Sequence, residues 1–419
     1  MTASNPSASL RVNLDAERLI ALLREAGRAV APGSFDAADW QRIVELAQRQ
    51  SVAPILYARL KERDSVPSPG SAQRLREIYL GTFKRNARLL HEVGKILRAL
   101  QASDIPVIPL KGAYLVEAVY GNLGLRQIGD VDLLVKPVDL AKALEVLRTL
   151  GYAAAHPIEI ESVRQVSQHM PPLSKQGGVT LELHWTILNP CKNAHFGDRD
   201  LDQVWSRAIP ARIGGVQALS LPPTDLLWYL CVHASFEHRF NGVGLRAFWD
   251  LALVIRRFTG EIDWELFARC VNQWRMANGV SLALQLAEEW TGAVIPKSKS
   301  VTRSLVFAPR DEATVDWIRQ KIWNGVSPEV QTDVARLGRP RLTDRLAGLR
   351  ATLFPPRAML AVQYHIPANS RRILCYYPVR FKDLWRRHSQ TLWQLLRGDQ
   401  ELVAQTRQEA RLYDYLNTH

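Results

Sequence analysis

Residues 126–137, RQIGDVDLLVKP, set two aspartates two positions apart at the entrance to a short apolar run. Val131, Leu133, Leu134 and Val135 have the content of a half-buried strand. Side chains at i and i+2 of a strand share a face, with Cα atoms roughly 6.5–7 Å apart, so the pattern predicts that Asp130 and Asp132 point together. Two such carboxylates repel unless a proton or a cation sits between them. A hard divalent ion resolves the conflict, because it takes oxygen ligands and phosphate oxygens can complete its shell.

The flanking residues supply the rest of a phosphate-handling site. Upstream, IPVIPL (105–110) is a short β-branched segment that runs directly into Lys111-Gly112 and the helix-like AYLVEAVYG, closed by Gly121. A glycine where a strand meets a helix lets backbone N–H groups approach an anion, and the helix N-terminus favours negative charge. Lys111 and Arg126 are then placed to contact triphosphate oxygens. Arg126 can equally form a structural ion pair with one of the aspartates. Downstream, GVTLELHWTI (178–187) alternates, with Thr180, Glu182 and His184 on one face and Val179, Leu181, Leu183 and Trp185 on the other. Glu182 can supply a third carboxylate from a neighbouring strand. Three such groups hold two ions about 3.5–4 Å apart, the arrangement used for in-line phosphoryl or nucleotidyl displacement. His184 shares the face of Glu182 and can reach a phosphate or an acceptor; beside Trp185 it also suits a packed, satisfied histidine.

Outside this segment the helical period dominates. Residues 1–13 carry no periodic pattern and are expected to be disordered. DAERLIALLREAG and DAADWQRIVELAQRQSVAPILYARLKE each open on an aspartate suited to an N-cap, and a long helix is expected over about 72–103. Residues 14–103 therefore read as an N-terminal helical unit and 104–215 as a small α/β core. Residues 216–419 read as a larger, basic helical region, with helices expected over 223–238, 244–258, 263–274 and 280–290 and a loop or crossover over 293–311. In that region His233 and His238 flank one helix end. Arg246 and Asp250 stand at an i, i+4 ion-pair spacing that suits either a ligand pocket or a buried polar network. Tyr376, Tyr377 and Arg380 interleave aromatic and basic side chains, a pattern that can stack on a base but that helix packing also explains.

Composition narrows the class. The chain has 419 residues, 47% hydrophobic, with a formal net charge of +13. Residues 331–419 contribute +8 of it, from fifteen Lys/Arg against seven Asp/Glu. A positive field attracts polyanions, RNA among them, although no run of five or more basic residues occurs. The four cysteines form no C-x-x-C pair, which excludes a disulfide framework and fits a reducing cytosol. Cys191 and His195 have a C-x-x-x-H spacing without a second half. No secretory signal pattern opens the chain and no apolar stretch reaches the ~20 residues of a membrane span, so a cytoplasmic protein is expected.

The ordered set LKG, an aliphatic helix with Tyr120, Arg126, GDVDLLV and ELHW resembles the uncharacterised bacterial nucleotidyltransferase family of the DNA polymerase β superfamily. The resemblance extends over roughly residues 35–260, through DWQRIVELAQRQSVAPIL before the core and LPPTDLLWYLCVHASFEH after it. It implies an α/β (α+β) polymerase β-like core with a mixed sheet, flanked by the two helical regions. It implies Asp130, Asp132 and Glu182 as metal-binding and catalytic carboxylates and Gly112 as the phosphate-binding glycine, beside which Lys111, Arg126 and His184 are read from their positions as further groups around a bound nucleotide. The activity implied is Mg2+-dependent (or Mn2+-dependent) transfer of a nucleoside monophosphate from an NTP, ATP among them, to an acceptor hydroxyl or phosphate on a small molecule, peptide or sugar. Two alternatives stand beside it: an RNA- or tRNA-directed enzyme of the toxin type, and a nucleotide-binding regulatory module without turnover. The motifs leave the base of the NTP, the acceptor and the oligomeric state open.

Overall fold

The structure is a computed structural model that describes residues 6–24, 35–63, 67–191, 196–296, 312–324, 342–397 and 399–417. Four helices come first: α1 (Pro6–Leu23), α2 (Ala37–Arg49), α3 (Ala53–Glu62) and α4 (Pro69–Gln101). Asp36 caps α2 as expected, its Oδ1 accepting from the Asp39 N–H at 2.7 Å. Two expectations are corrected here. The helix α1 starts at Pro6, so residues 6–13 are helical rather than disordered, and Asp15 lies mid-helix, where it accepts from Arg42 Nε at 3.1 Å instead of capping. The periodic run 36–62 is also two helices. Ser51 takes φ +57 and Pro54 opens the next helix, since a proline fixes φ for a first turn but has no N–H to continue one.

The α/β core follows as β1 (Ile108–Leu110), α5 (Gly112–Ala118), β2 (Val131–Leu134), α6 (Leu140–Thr149), β3 (Ala153–Ala154), α7 (Ile160–Val166), β4 (Leu173–Ser174) and β5 (Leu181–His184). Its five-stranded sheet has the order β1-β2-β5-β4-β3. β2 runs antiparallel to β1 and parallel to β5, so the sheet is mixed. Every residue of β1 and β2 is buried, which is why both read as nearly continuous apolar runs; Asp132 is the exception in charge though not in burial.

After α8 (Asp198–Arg207), a hairpin of β6 (Ile209–Ile213) and β7 (Val216–Ser220) turns through Gly214 and Gly215, both at positive φ. The expected core boundary at 215 therefore falls inside this turn. The hairpin packs on α4 so closely that a Cβ at Gly94 would lie 2.6 Å from the Gly214 carbonyl oxygen. The helical remainder comprises α9 (Pro223–Val232), a π-helical turn (His233–Glu237), α10 (Gly244–Arg257), α11 (Trp264–Gln273) and α12 (Ala277–Thr291). Beyond it come α13 (Glu312–Asn324), α14 (Leu342–Leu353), α15 (Arg357–Tyr364), α16 (Tyr376–Leu396) and α17 (Gln400–Asn417). The helix expected over 223–238 thus widens to π-helical geometry at His233. Most of the crossover expected over 293–311, and His195 of the Cys191 spacing, lie outside the described residues. Among the described residues, no helix is long and apolar enough to cross a membrane.

The interleaved aromatic and basic side chains of α16 are packing groups. Arg380 is buried and donates from Nε to the Thr352 carbonyl at 2.8 Å, Tyr377 Oη donates to the Pro355 carbonyl at 3.0 Å, and Tyr376 packs on Tyr364.

Candidate active site

Register decides which acidic groups meet. β2 and β5 pair in parallel with Asp132 opposite Glu182, and directly paired residues of neighbouring strands project to the same face. His184, two residues beyond Glu182, shares that face. Asp132 is 2% exposed, yet its Oδ1 accepts from Lys111 Nζ at 3.0 Å and lies 3.0 Å from His184 Nε2. The same imidazole nitrogen is 3.7 Å from Glu182 Oε2, as is Nε2 of His169. His169 enters from the stretch preceding β4, which bridges to β5 at His184.

Charge is balanced within this group. Burial would raise the Asp132 carboxyl, but the Lys111 ammonium and the His184 hydrogen bond hold it well below the usual carboxylate range. His184 is lowered by burial and raised more by its contacts with Asp132 and Glu182, ending above its ordinary value. The His184 contact keeps Glu182 below its ordinary value. Asp130 behaves in the opposite way: burial and the charge of Asp132 push it up. It stands one residue before β2, exposed, and lines the same cavity as Asp132 without belonging to the tight cluster.

A divalent cation fits the donor set. One ligating atom each from Asp132, Glu182 and His184 lie within 4.8 Å of one another, and two of the three are carboxylate oxygens. The sequence pattern drew together Asp130, Asp132 and Glu182; the structure clusters Asp132 and Glu182 with His184 in place of Asp130, because Asp130 has left the strand.

Lys111 and Gly112 form the junction between β1 and α5. Lys111 takes φ +47 and ψ −116, a conformation L-residues rarely adopt. Gly112 is required by packing: a Cβ there would meet Arg126 Nη1 at 2.9 Å and Ile128 Cγ2 at 3.0 Å.

Arg126 does not pair with either aspartate of the motif. It is buried and grips Asp250 of α10 with Nε and Nη2, at 2.9 and 2.8 Å, and Tyr120 Oη donates to the same carboxylate at 2.7 Å. Asp250 accordingly pairs with Arg126 rather than with Arg246 one turn away, while Arg246 Nη1 donates to the Gln127 carbonyl at 2.8 Å. These contacts, with Asn86 Nδ2 of α4 donating to the Leu123 and Arg126 carbonyls at 2.7 Å each, pin the loop that carries Asp130. The i, i+4 spacing of Arg246 and Asp250 gave no hint of a partner 124 residues upstream.

The assembled cavity holds about 370 Å³, with Lys111, Asp130, Asp132, Glu182 and His184 on the sheet side. His233, Glu237, His238 and Arg246 form the helical side. Burial and the nearby Lys111 charge hold His233 far below its ordinary value, so it is neutral at physiological pH. Glu237 lies within the helix expected over 223–238 but nothing in the sequence marked it as a cavity residue, and His169 belongs to no regular periodic element.

A family model described as an uncharacterised nucleotidyltransferase matches residues 36–292. The chain belongs to that family. The match runs from the Asp36 cap to the end of α12, so the flanking helices are part of the family unit and not appendages to the sheet. Among solved structures, the nucleotidyltransferase is similar to the antibiotic-resistance factor ANT(2″)-Ia, determined in solution. Identity is 14%, over 44% of this chain and 92% of that one, with a TM-score of 0.33. A comparison with curated proteins finds no match. The family places the chain among enzymes that transfer a nucleoside monophosphate.

Proposed function

We propose that this nucleotidyltransferase uses Mg2+ (or Mn2+) to move a nucleoside monophosphate from an NTP to a hydroxyl or phosphate of a small molecule, peptide or sugar, in the cytoplasm. The observation that carries the reading is the register of Asp132 opposite Glu182 on parallel neighbours, both lining a cavity that Lys111 also lines. Asp132 and Glu182, with Asp130 and His184 beside them, would hold the cation, which supplies neutralisation of the triphosphate and of the displaced oxygen.

The remaining work belongs to the chain itself. Lys111 stays charged at neutral pH, because burial would lower it but the Asp132 carboxylate in contact with it outweighs that effect, and it is the cation nearest the carboxylates for a phosphate oxygen. Glu182, ionised beside His184, accepts the proton of the acceptor hydroxyl. Arg126, two of whose nitrogens are committed to Asp250, acts by holding in place the loop that carries Asp130. The pinned loop means the carboxylates need no reorganisation as charge develops, the main source of rate in phosphoryl transfer.

The test is incubation with each labelled NTP and Mg2+ in the presence of bulk RNA, cell-extract metabolites or the protein alone, against an Asp130→Asn/Asp132→Asn variant. Label entering small molecules or peptides, reduced by at least about 10²–10³-fold in the variant, is the expected result. Label entering RNA selects the RNA-directed reading, and NTP binding without transfer to anything selects the regulatory module.

A further inference from the structure

A second cavity, of about 570 Å³, opens between the segment leading into α7 and the end of α15. Its walls are apolar, built from Ile158, Val163, Pro171, Ala361, Val362 and Ile366. His156 and His365 add a flat surface, their rings stacked with centroids 3.7 Å apart and 20° between planes. The acidic group in the lining is already engaged: Glu159 Oε2 accepts from Ser162 Oγ at 2.7 Å and from the Ala368 N–H at 3.0 Å. The size and lining are those of a small-molecule site, which is mostly apolar with a few placed polar groups.

Its position relates it to the catalytic cavity. One segment, residues 168–172, lines both: Gln168 and His169 on the catalytic side, Pro171 and Pro172 on the apolar side. His169 and Pro171 are two residues apart, so their Cα atoms are at most about 7 Å apart. The segment is fastened to β5 by the Met170 N–H on the Leu183 carbonyl at 2.8 Å, and the Trp185 N–H donates to the Gln168 carbonyl at 3.1 Å. The two cavities therefore share one stretch of chain in their linings.

We infer that the acceptor is an amphiphile: its hydroxyl head lies at Glu182 and its apolar tail fills the chamber between α7 and α15. This rests on the nucleotidyl-transfer reading above. The hydroxyl oxygen forms a bond to the α-phosphorus, the bond from that phosphorus to the bridging oxygen breaks, pyrophosphate leaves, and the hydroxyl proton passes to Glu182 and then to water. The tail provides binding without touching the reacting atoms, and its specificity is for apolar length rather than for a particular functional group.

The experiment uses the full-length protein and the fluorescent apolar probe N-phenyl-1-naphthylamine, with Val362→Trp to fill the chamber and Ile158→Asp to charge it. Both residues are only partly buried, and neither lines the catalytic cavity. Probe binding, competed by n-alkyl alcohols, should weaken at least tenfold in each variant while Mg·NTP binding is unchanged. In transfer assays KM for the alcohols should fall about fourfold per added methylene until the chamber is full, and this slope should flatten in the variants. Probe binding untouched by either substitution overturns the chamber's role, whether or not transfer occurs. A KM independent of chain length, with transfer intact, overturns the link between the cavities. Probe binding as expected but no transfer to any acceptor counts against the nucleotidyl-transfer reading, and with it the assignment of the guest as an acceptor.

Discussion

Lys111 concentrates the conflict that the site resolves. Its backbone is held at positive φ, a conformation that costs of order 1–3 kcal/mol, and its ammonium is drawn onto the carboxylate of Asp132. Asp132, Glu182 and His184 were legible because alternation along a strand assigns a face to each residue. The partner of Arg126 was not, because nothing local marks a carboxylate 124 positions away. That pair makes a testable distinction between stability and function. Asp250→Ala leaves a buried guanidinium without its partner and should cost about 3–5 kcal/mol in urea unfolding. Arg126→Met/Asp250→Leu should recover most of that loss, since the desolvation of both charges is removed. Transfer activity should not return with it, because the loop bearing Asp130 loses its anchor; recovery of both together would remove Arg126 from any positioning role.

At the scale of elements, the decisive object is the loop between α5 and β2. It contains little secondary structure, yet α4, which precedes it in the chain, and α10, which follows it, clamp it through Asn86, Arg246 and Asp250. Asn86→Ala should cost about 1–3 kcal/mol, because two buried carbonyls lose their donor, and hydrogen exchange should quicken over residues 123–129 with α4 itself protected. Exchange that stays slow in this loop would show that the other contacts suffice. The long helices were readable from their period. The strand β4 was not, being only two residues, too short for any period to register. The hairpin of β6 and β7 did carry a signal: the Gly214-Gly215 pair between two short β-like runs marks a tight turn, and it crosses the boundary drawn from the change of period.

For the whole molecule, the three regions suggested by periodicity interlock. The family unit spans 36–292, and the loop that carries Asp130 is tied to α4 and α10. Residues 104–215 expressed alone should therefore lack cooperative unfolding by circular dichroism, since that fragment loses β7, Asn86 and Asp250 at once; a sharp transition would make the core an independent domain. Electrostatics also couple the regions. Glu92 of α4 is paired with Lys175 and Lys95, contacts that outweigh burial and lower its carboxyl from 4.5. A depressed carboxylate stabilises the fold above its unfolded pKa and loses that contribution as pH falls through the folded one. Glu92→Gln should thus cost about 1 kcal/mol at pH 7 and almost nothing near pH 3, read as the difference in urea midpoints; an equal cost at both would assign the loss to packing.

What the sequence determined by itself was local: most of the helical segments over 36–103 and 223–290, the strand faces of Asp132, Glu182 and His184, and the junction at Lys111-Gly112. Tertiary structure alone decided that His184 and not Asp130 completes the tight cluster, that Asp250 holds Arg126, and that two cavities share the stretch 168–172 in their linings. The reason is geometric. Alternation assigns a side chain to a face, but which groups meet on that face depends on strand register and on contacts between residues far apart in the chain.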